Sequence, residues 1–217
     1  MTEEKETHPS KLLSGKKIKT VLLGLVIVIL VISASLNFHY YNLSQTLTNS
    51  VEGATLEVSR EFSFCMDYVT LTLDSKAIPE NIYNLIRNLQ YHLQTAWGLL
   101  RTLRIYLIPA YENQLQIIED LLINMTVQGY GGVCDVLWNL NSQGNVTLLI
   151  QAFQELNATA SQKINDVGFE LSEAFDSLRR DGTVVTFNII PSRIENSVNA
   201  ANELKGILNE WITKYSS

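Results

Sequence analysis

Cysteine, histidine and proline are all scarce in this chain, at two, three and four residues, and each scarcity excludes something. Two cysteines, Cys65 and Cys134, with no histidine near either in sequence, exclude a zinc site of ordinary Cys/His spacing. Of the histidines, His8 lies in the tail and His39 at the lipid boundary. Only His92 lies well inside the outer region, where it neighbours an apolar stripe and reads as a helix-flank residue. No G-x-S-x-G, H-E-x-x-H, phosphate-loop or G-x-G-x-x-G motif occurs. Gly129-Tyr130-Gly131-Gly132 lacks the Lys-Ser/Thr ending of a phosphate loop and reads as a flexible turn. Basic runs are missing too. Residues 1–19 carry net +2 and the remainder net −8, together the −6 of the whole chain. An acidic body argues against nucleic acid as a partner. Nothing supplies a matched acid, base and nucleophile, so the expectation is a non-enzymatic protein with no cofactor and no metal.

What the chain does have is one long apolar run. Thr20 to Phe38 contains no ionisable side chain, and Val21 to Ile32 is almost unbroken Val, Leu and Ile. At ~1.5 Å per residue the segment spans ~30 Å, one hydrocarbon core. Lys11, Lys16, Lys17 and Lys19 precede it, while no Arg follows until Arg60 and no Lys until Lys76. That asymmetry predicts a cytoplasmic basic tail over 1–19, a transmembrane signal-anchor helix over 20–38 and an extracytoplasmic domain over 39–217 of a single-pass cell-membrane protein. Phe38, Tyr40 and Tyr41 sit where an outer aromatic belt belongs. Two other readings stay open. Ser33-Ala34-Ser35 resembles a signal-peptide cleavage site, which would make the remainder a secreted protein. The run would also suit a buried helix of a soluble core, although four lysines at one end speak against that.

Beyond the apolar run the periodicity is helical. From Leu43 the apolar positions are Leu47, Val51, Ala54, Val58, Phe62, Cys65, Val69 and Leu73, stepping by three and four. Leu149, Phe153, Leu156, Ala160, Ile164, Val167, Leu171, Phe175 and Leu178 do the same. Both add to eleven residues per three turns, close to the natural helix and impossible for a strand. A segment from Pro79 carries Ile82, Leu85, Leu89, Leu93, Ala96, Leu100, Leu103 and Leu107; after Pro109 come Leu115, Ile118, Leu122 and Met125. Arg179, Arg180 and Gly182 read as the end of the long helix, and Thr183 to Ile190 as an extended connector. A last helix after Pro191 carries Ile194, Val198, Ala201, Leu204, Leu208, Trp211 and Tyr215. The fold expected is all-α: the anchor followed by an antiparallel bundle of four to five helices.

An even cysteine pair outside the cytoplasm predicts a Cys65–Cys134 disulfide. Helix rise connects that bridge to Pro109. If the first outer helix stands straight, Cys65 lies ~39 Å above the lipid. A chain that reverses at Pro109 then climbs ~28 Å and returns to the same height near Cys134, whereas a mere kink would leave the cysteines apart.

Trp97, Arg101 and Arg104, with Tyr106 and Tyr111, form a candidate pocket for an anionic ligand; pairing of the arginines with acids of neighbouring helices is the plainer alternative. Carboxylates pair at Glu119-Asp120, and Glu170, Glu173 and Asp176 recur at helical spacing and read as a solvated face. Four N-x-S/T sequons occur, at Asn42, Asn124, Asn145 and Asn157; Asn42 is too close to the lipid, and Asn145, in an expected loop, is the best glycosylation candidate.

The plan resembles outer sensing domains of bacterial and archaeal receptors, with two departures: no second span follows Tyr215, and 19 residues are too few for an output domain. The leading functional expectation is an outer helical bundle that binds a protein partner or a second copy of itself, with the lipid bilayer as its other partner. A small-ligand sensor or accessory receptor subunit is the alternative.

Overall fold

The computed structural model describes residues 15–74, 78–126, 129, 131–180 and 183–216. Its side-chain description omits 15–21, 65–66, 68–81 and 176–187. The chain forms two units, the first ending at Gln45 and the second beginning at Thr46, with the first helix contributing to both. Six α-helices and one two-stranded sheet occur among the described residues.

Helix α1 runs from Gly15 to Asp74. In the first unit, Leu22 to Ile32 are exposed along the helix. The stretch beginning at Leu22 is long and apolar enough to cross a membrane.

In the second unit α1 buries Thr48, Val51, Thr55, Val58 and Phe62. This corrects the expected seam. Leu47 is 44% exposed and Ala54 half-buried, and the burial steps of three, four, three and four give seven residues per two turns, not eleven per three. Two threonines take core positions, and at Thr55 the helical hydroxyl satisfies itself. Thr55 Oγ1 donates to the carbonyls of Val51 and Glu52, both at 3.0 Å. The outer seam positions Cys65, Val69 and Leu73 lie outside the described side chains.

Helix α2 (Ile78–Thr102) buries Ile82, Leu85, Leu89, Leu93, Ala96 and Leu100 as expected. It then widens into a π-helical turn over Leu103–Leu107, and Ile108 N–H donates to Leu103 O at 2.8 Å. Ile108, at φ −134° and ψ 58°, leaves helical geometry because the proline ring that follows disfavours it. A 3₁₀ turn at Pro109–Tyr111 leads into α3 (Glu112–Thr126). The chain reverses here. Gln90 meets Thr126, Trp97 meets Glu119 and Arg104 meets Glu112, an antiparallel register.

A loop through Gly129 and Gly131, both at positive φ, connects to α4 (Val133–Ser142). Asp135 Oδ2 accepts from the N–H groups of both glycines, at 2.9 and 2.8 Å, and so holds the two of them in place. A Cβ on Gly132 would fall 1.5 Å from the carbonyl oxygen of Asn124, so only glycine lets the loop cross the end of α3. A short turn at Gln143-Gly144 follows. Asn145 then caps α5 (Val146–Ser172), its Oδ1 accepting from Leu148 N–H at 3.1 Å.

Helix α5 buries every expected position from Leu149 to Leu171, then stops at Ser172. The expected continuation to Leu178 is overturned: Phe175–Arg180 is strand β1, paired antiparallel with β2 (Thr183–Ile189). Its register shifts between Leu178 and Arg179, and the Ile190 N–H bond to Ala174 O at 2.8 Å closes its base. The β-branched stretch over 183–189 offers Phe175–Arg180 a ladder partner that helical periodicity cannot reveal. The Gly182 position lies outside the described residues.

Helix α6 (Pro191–Tyr215) returns antiparallel along α5. Ser197 Oγ donates to Val167 O and Trp211 Nε1 to Ala152 O, at 2.8 and 2.9 Å. Ile194, Ala201, Leu204, Leu208, Trp211 and Tyr215 are buried as expected.

Candidate functional site

Of the three residues expected to form an anion pocket, Trp97 and Arg104 converge, but on a carboxylate, while Arg101 stays exposed. Glu119, 3% exposed, accepts from Trp97 Nε1 at 3.2 Å and from Arg104 Nε at 2.6 Å. Arg104 Nη1 also reaches Glu112 at 3.1 Å, and Arg101 lies over the Trp97 ring at 5.9 Å. The turn at Pro109 makes this possible, because it lays α3 along α2 with Glu119 facing the Trp97–Arg104 flank. Arg104 is thus held by the chain's own acids, and the described cavities are lined by other residues. Glu119 belongs to the buried interior. Its sequence signal was weak: it follows the core position Ile118 directly, on the side that α3 turns to α2.

His92 bridges α1 and α2. Its Nδ1 lies 2.6 Å from Glu61 Oε2, and its ring meets the edges of Phe64 and Tyr91 at centroid separations of 5.8 and 5.4 Å. On the other flank of α2, Trp138 of α4 donates to Gln90 Oε1 at 3.1 Å and meets the Tyr83 ring at 5.2 Å.

That arrangement explains a further correction: the Cys65–Cys134 bridge does not form. Cys134 is a free thiol, 1% exposed, in the first turn of α4. Gln90, which meets α4, and His92, which meets α1, are two residues apart, roughly 200° around the helix. Helix α2 therefore stands between α1 and α4. The reversal at Pro109 occurs without the disulfide it was expected to accompany. Burial, with the Asp135 charge adding to it, pushes the Cys134 thiol up to about 12, so it stays protonated and inert.

The ends of α5 and α6 are tied by polar latches. Glu155 takes Lys214 as an ion-pair partner and accepts from Tyr215 Oη at 2.8 Å. These bonds hold the Glu155 carboxyl below the usual range and raise Lys214 and Tyr215, the tyrosine chiefly through burial. Toward the other end Glu170 accepts two bonds from Arg193, both at 2.9 Å, and one from Asn196 at 3.1 Å. Burial opposes ionisation of Glu170, but the Arg193 and Asn196 bonds outweigh it and hold this carboxyl low as well. Glu170 is an interhelical anchor, not part of the solvated face expected.

Of the sequons, Asn145 is exposed, and its capping oxygen leaves Nδ2 free of the cap. Asn124 is exposed on α3, and Asn157 is half-buried and engaged with a partner. No group of three metal-ligating side chains occurs among the described residues.

One surface feature went unread in the sequence. Tyr83, Arg87 and Tyr91 recur at i, i+4 and i+8 on α2, so they share its outward face. The tyrosines are 55% and 63% exposed, and Arg87 has no ion-pair partner among the described residues. Phe64, reached through His92, and Trp138, stacked on Tyr83, flank the stripe. The spacing was visible beforehand, but only the packing shows which side of α2 faces out.

No protein family, curated protein or solved structure matches the chain.

Proposed function

We propose that this is a non-enzymatic, single-pass membrane protein whose helices beyond the anchor bind another protein. The N-terminus is cytoplasmic and the C-terminal domain extracytoplasmic. The reading rests on one observation: Tyr83, Arg87 and Tyr91 stand exposed in a row on α2, between Phe64 and Trp138. Tyrosine, tryptophan and arginine dominate interface hot spots because they combine a large apolar area with a polar tip. Arg87 seeks a carboxylate, and the two tyrosines a flat apolar patch beside it. The Lys-rich flank before Thr20 and the exposed apolar face of Leu22 to Ile32 support the anchor.

Crosslinking and native mass measurement on the full chain in detergent test the reading. A partner, or a second copy, is expected on the wild-type protein, with its yield falling at least about tenfold in a Tyr83→Ala/Arg87→Glu/Tyr91→Ala variant. A strictly monomeric protein with no co-purifying partner overturns the interaction. A mature chain that begins after Ser35, or that fractionates as a soluble protein, overturns the anchor.

A further inference from the structure

A second surface of the molecule has the chemistry of a small-ligand site. Between α3, the Gly131–Val133 segment and α6 lies a cavity of about 230 Å³. Leu121, Met125 and Leu208 are buried and form an apolar floor. Asn124, Lys205 and Asn209 are exposed and form a polar rim. Among the described residues of that lining Lys205 is the one ionisable side chain. The two other lysines whose side chains are described are spent on acids: Lys163 pairs with Glu203 and Lys214 with Glu155. Lys205 has no such partner among the described residues. In a region of net −8, a cleft whose described lining has one cation and no carboxylate is selective by charge.

The walls are also fixed in advance. Gly132 lies against the Asn124 carbonyl, and the loop amides of Gly129 and Gly131 are tied to Asp135. A site that does not reorganise loses little affinity to ordering. Its volume is below the ~300–1,000 Å³ typical of drug-sized ligands, which limits the occupant to a small one.

We infer that this cleft binds a small, singly anionic amphiphile of the monocarboxylate type. Its short apolar body lies on Leu121, Met125 and Leu208, and its carboxylate takes a charge-assisted bond from Lys205 and amide bonds from Asn124 and Asn209. The site is independent of the Tyr83–Tyr91 stripe. A glycan on Asn124 and a ligand in the cleft would compete for the same space.

Methionine supplies a reporter, because the chain has only three and Met125 lines the floor. The full chain, labelled with ¹³C-methyl methionine and held in lipid nanodiscs, is titrated with hexanoate, hexanol and hexylamine. Hexanoate is expected to shift the Met125 methyl signal saturably while the other two methionines stay still. Hexanol should bind about tenfold more weakly, and hexylamine should leave the signal unchanged. Lys205→Gln, a rim change that spares the packed floor, should weaken hexanoate about tenfold and leave hexanol unaltered. Equal binding of hexanol and hexanoate, an unchanged hexanoate affinity in Lys205→Gln, or a Met125 shift that never saturates would each overturn the site.

Discussion

Gly168 of α5 lies so close to Phe62 of α1 that a methyl group added to it would sit 2.9 Å from the Phe62 Cβ and 3.1 Å from the Ser59 Cα. Neither atom is the free end of a flexible side chain, so the two helices would have to separate. Gly168→Ala is therefore expected to destabilise the second unit by about 1–3 kcal/mol, despite the better helix propensity of alanine. Gly98 and Gly206 provide the control, since each is helical and exposed with nothing within 4 Å of an added Cβ. Alanine at either should stabilise by about 0.5–1 kcal/mol. Urea denaturation of the three variants decides the matter, and a Gly168→Ala protein as stable as Gly98→Ala would show that α1 does not pack tightly there.

Glu119 holds together Trp97 and Arg104 from inside the α2–α3 contact. Glu119→Ala removes the carboxylate and leaves the largely buried Arg104 guanidinium with only the exposed Glu112. Breaking a buried pair from one side costs about 3–5 kcal/mol. Replacing both partners, as Arg104→Met/Glu119→Met, should recover most of that loss, because no unpaired charge remains buried. Denaturant midpoints of the single and double variants measure the difference. A single variant within 0.5 kcal/mol of wild type, roughly the range of ordinary surface changes, would refute the anchoring role.

Acid should loosen the α5–α6 pair. Glu155 and Glu170 both have carboxyls held below their ordinary 4.5 in the folded state. A lowered folded value means the stabilisation is complete above the unfolded value of about 4.5 and is lost as pH falls through the lower folded values. Lys163 and Lys214 are raised above 10.5, so their contribution is complete below that value and is lost as pH rises through the higher folded values. The urea midpoint should thus be flat through neutrality and fall at both extremes. Glu155→Gln/Glu170→Gln should flatten the acid limb, and an unchanged acid limb in that variant would assign the effect to other carboxylates.

Cys134 should resist modification. With its thiol buried and pushed up to about 12, the thiolate that reacts is almost absent at pH 8. In a Cys65→Ser background, alkylation of the folded protein should be slower than that of the urea-unfolded protein by at least about a hundredfold. Equal rates would place Cys134 at the surface.

Much of this architecture was legible before any coordinates. The stripes of α2, α3, α5 and α6 are strongly periodic, and nearly every residue in them from Ile82 to Tyr215 that was read as core is buried, with Phe175 in strand β1 instead of helix. Pro191 announces its helix start through local chemistry, a ring already set at helical φ, whereas Asn145, read as a loop residue, proves to cap α5. The ionic surroundings of Trp97 and Arg104 were foreseen as an alternative to a ligand pocket. The stripe at Tyr83, Arg87 and Tyr91 was not, because three exposed residues leave no mark on hydrophobic periodicity.

The sequence by itself determined most of the helical segments, where one apolar stretch of membrane-crossing length lies, and how acidic the remainder is. These properties depend on neighbours within a turn or two, and so they can be read along the chain. Tertiary structure alone decided that Thr48 and Thr55 replace Leu47 and Ala54 in the core, that Phe175–Arg180 leaves the helix for a strand, that Glu119 is buried and that Cys134 stays unpaired. Each depends on a partner far along the chain. A hydroxyl, a carboxylate or a thiol can be buried only where distant groups satisfy or exclude it, and a strand exists only where another backbone completes its ladder.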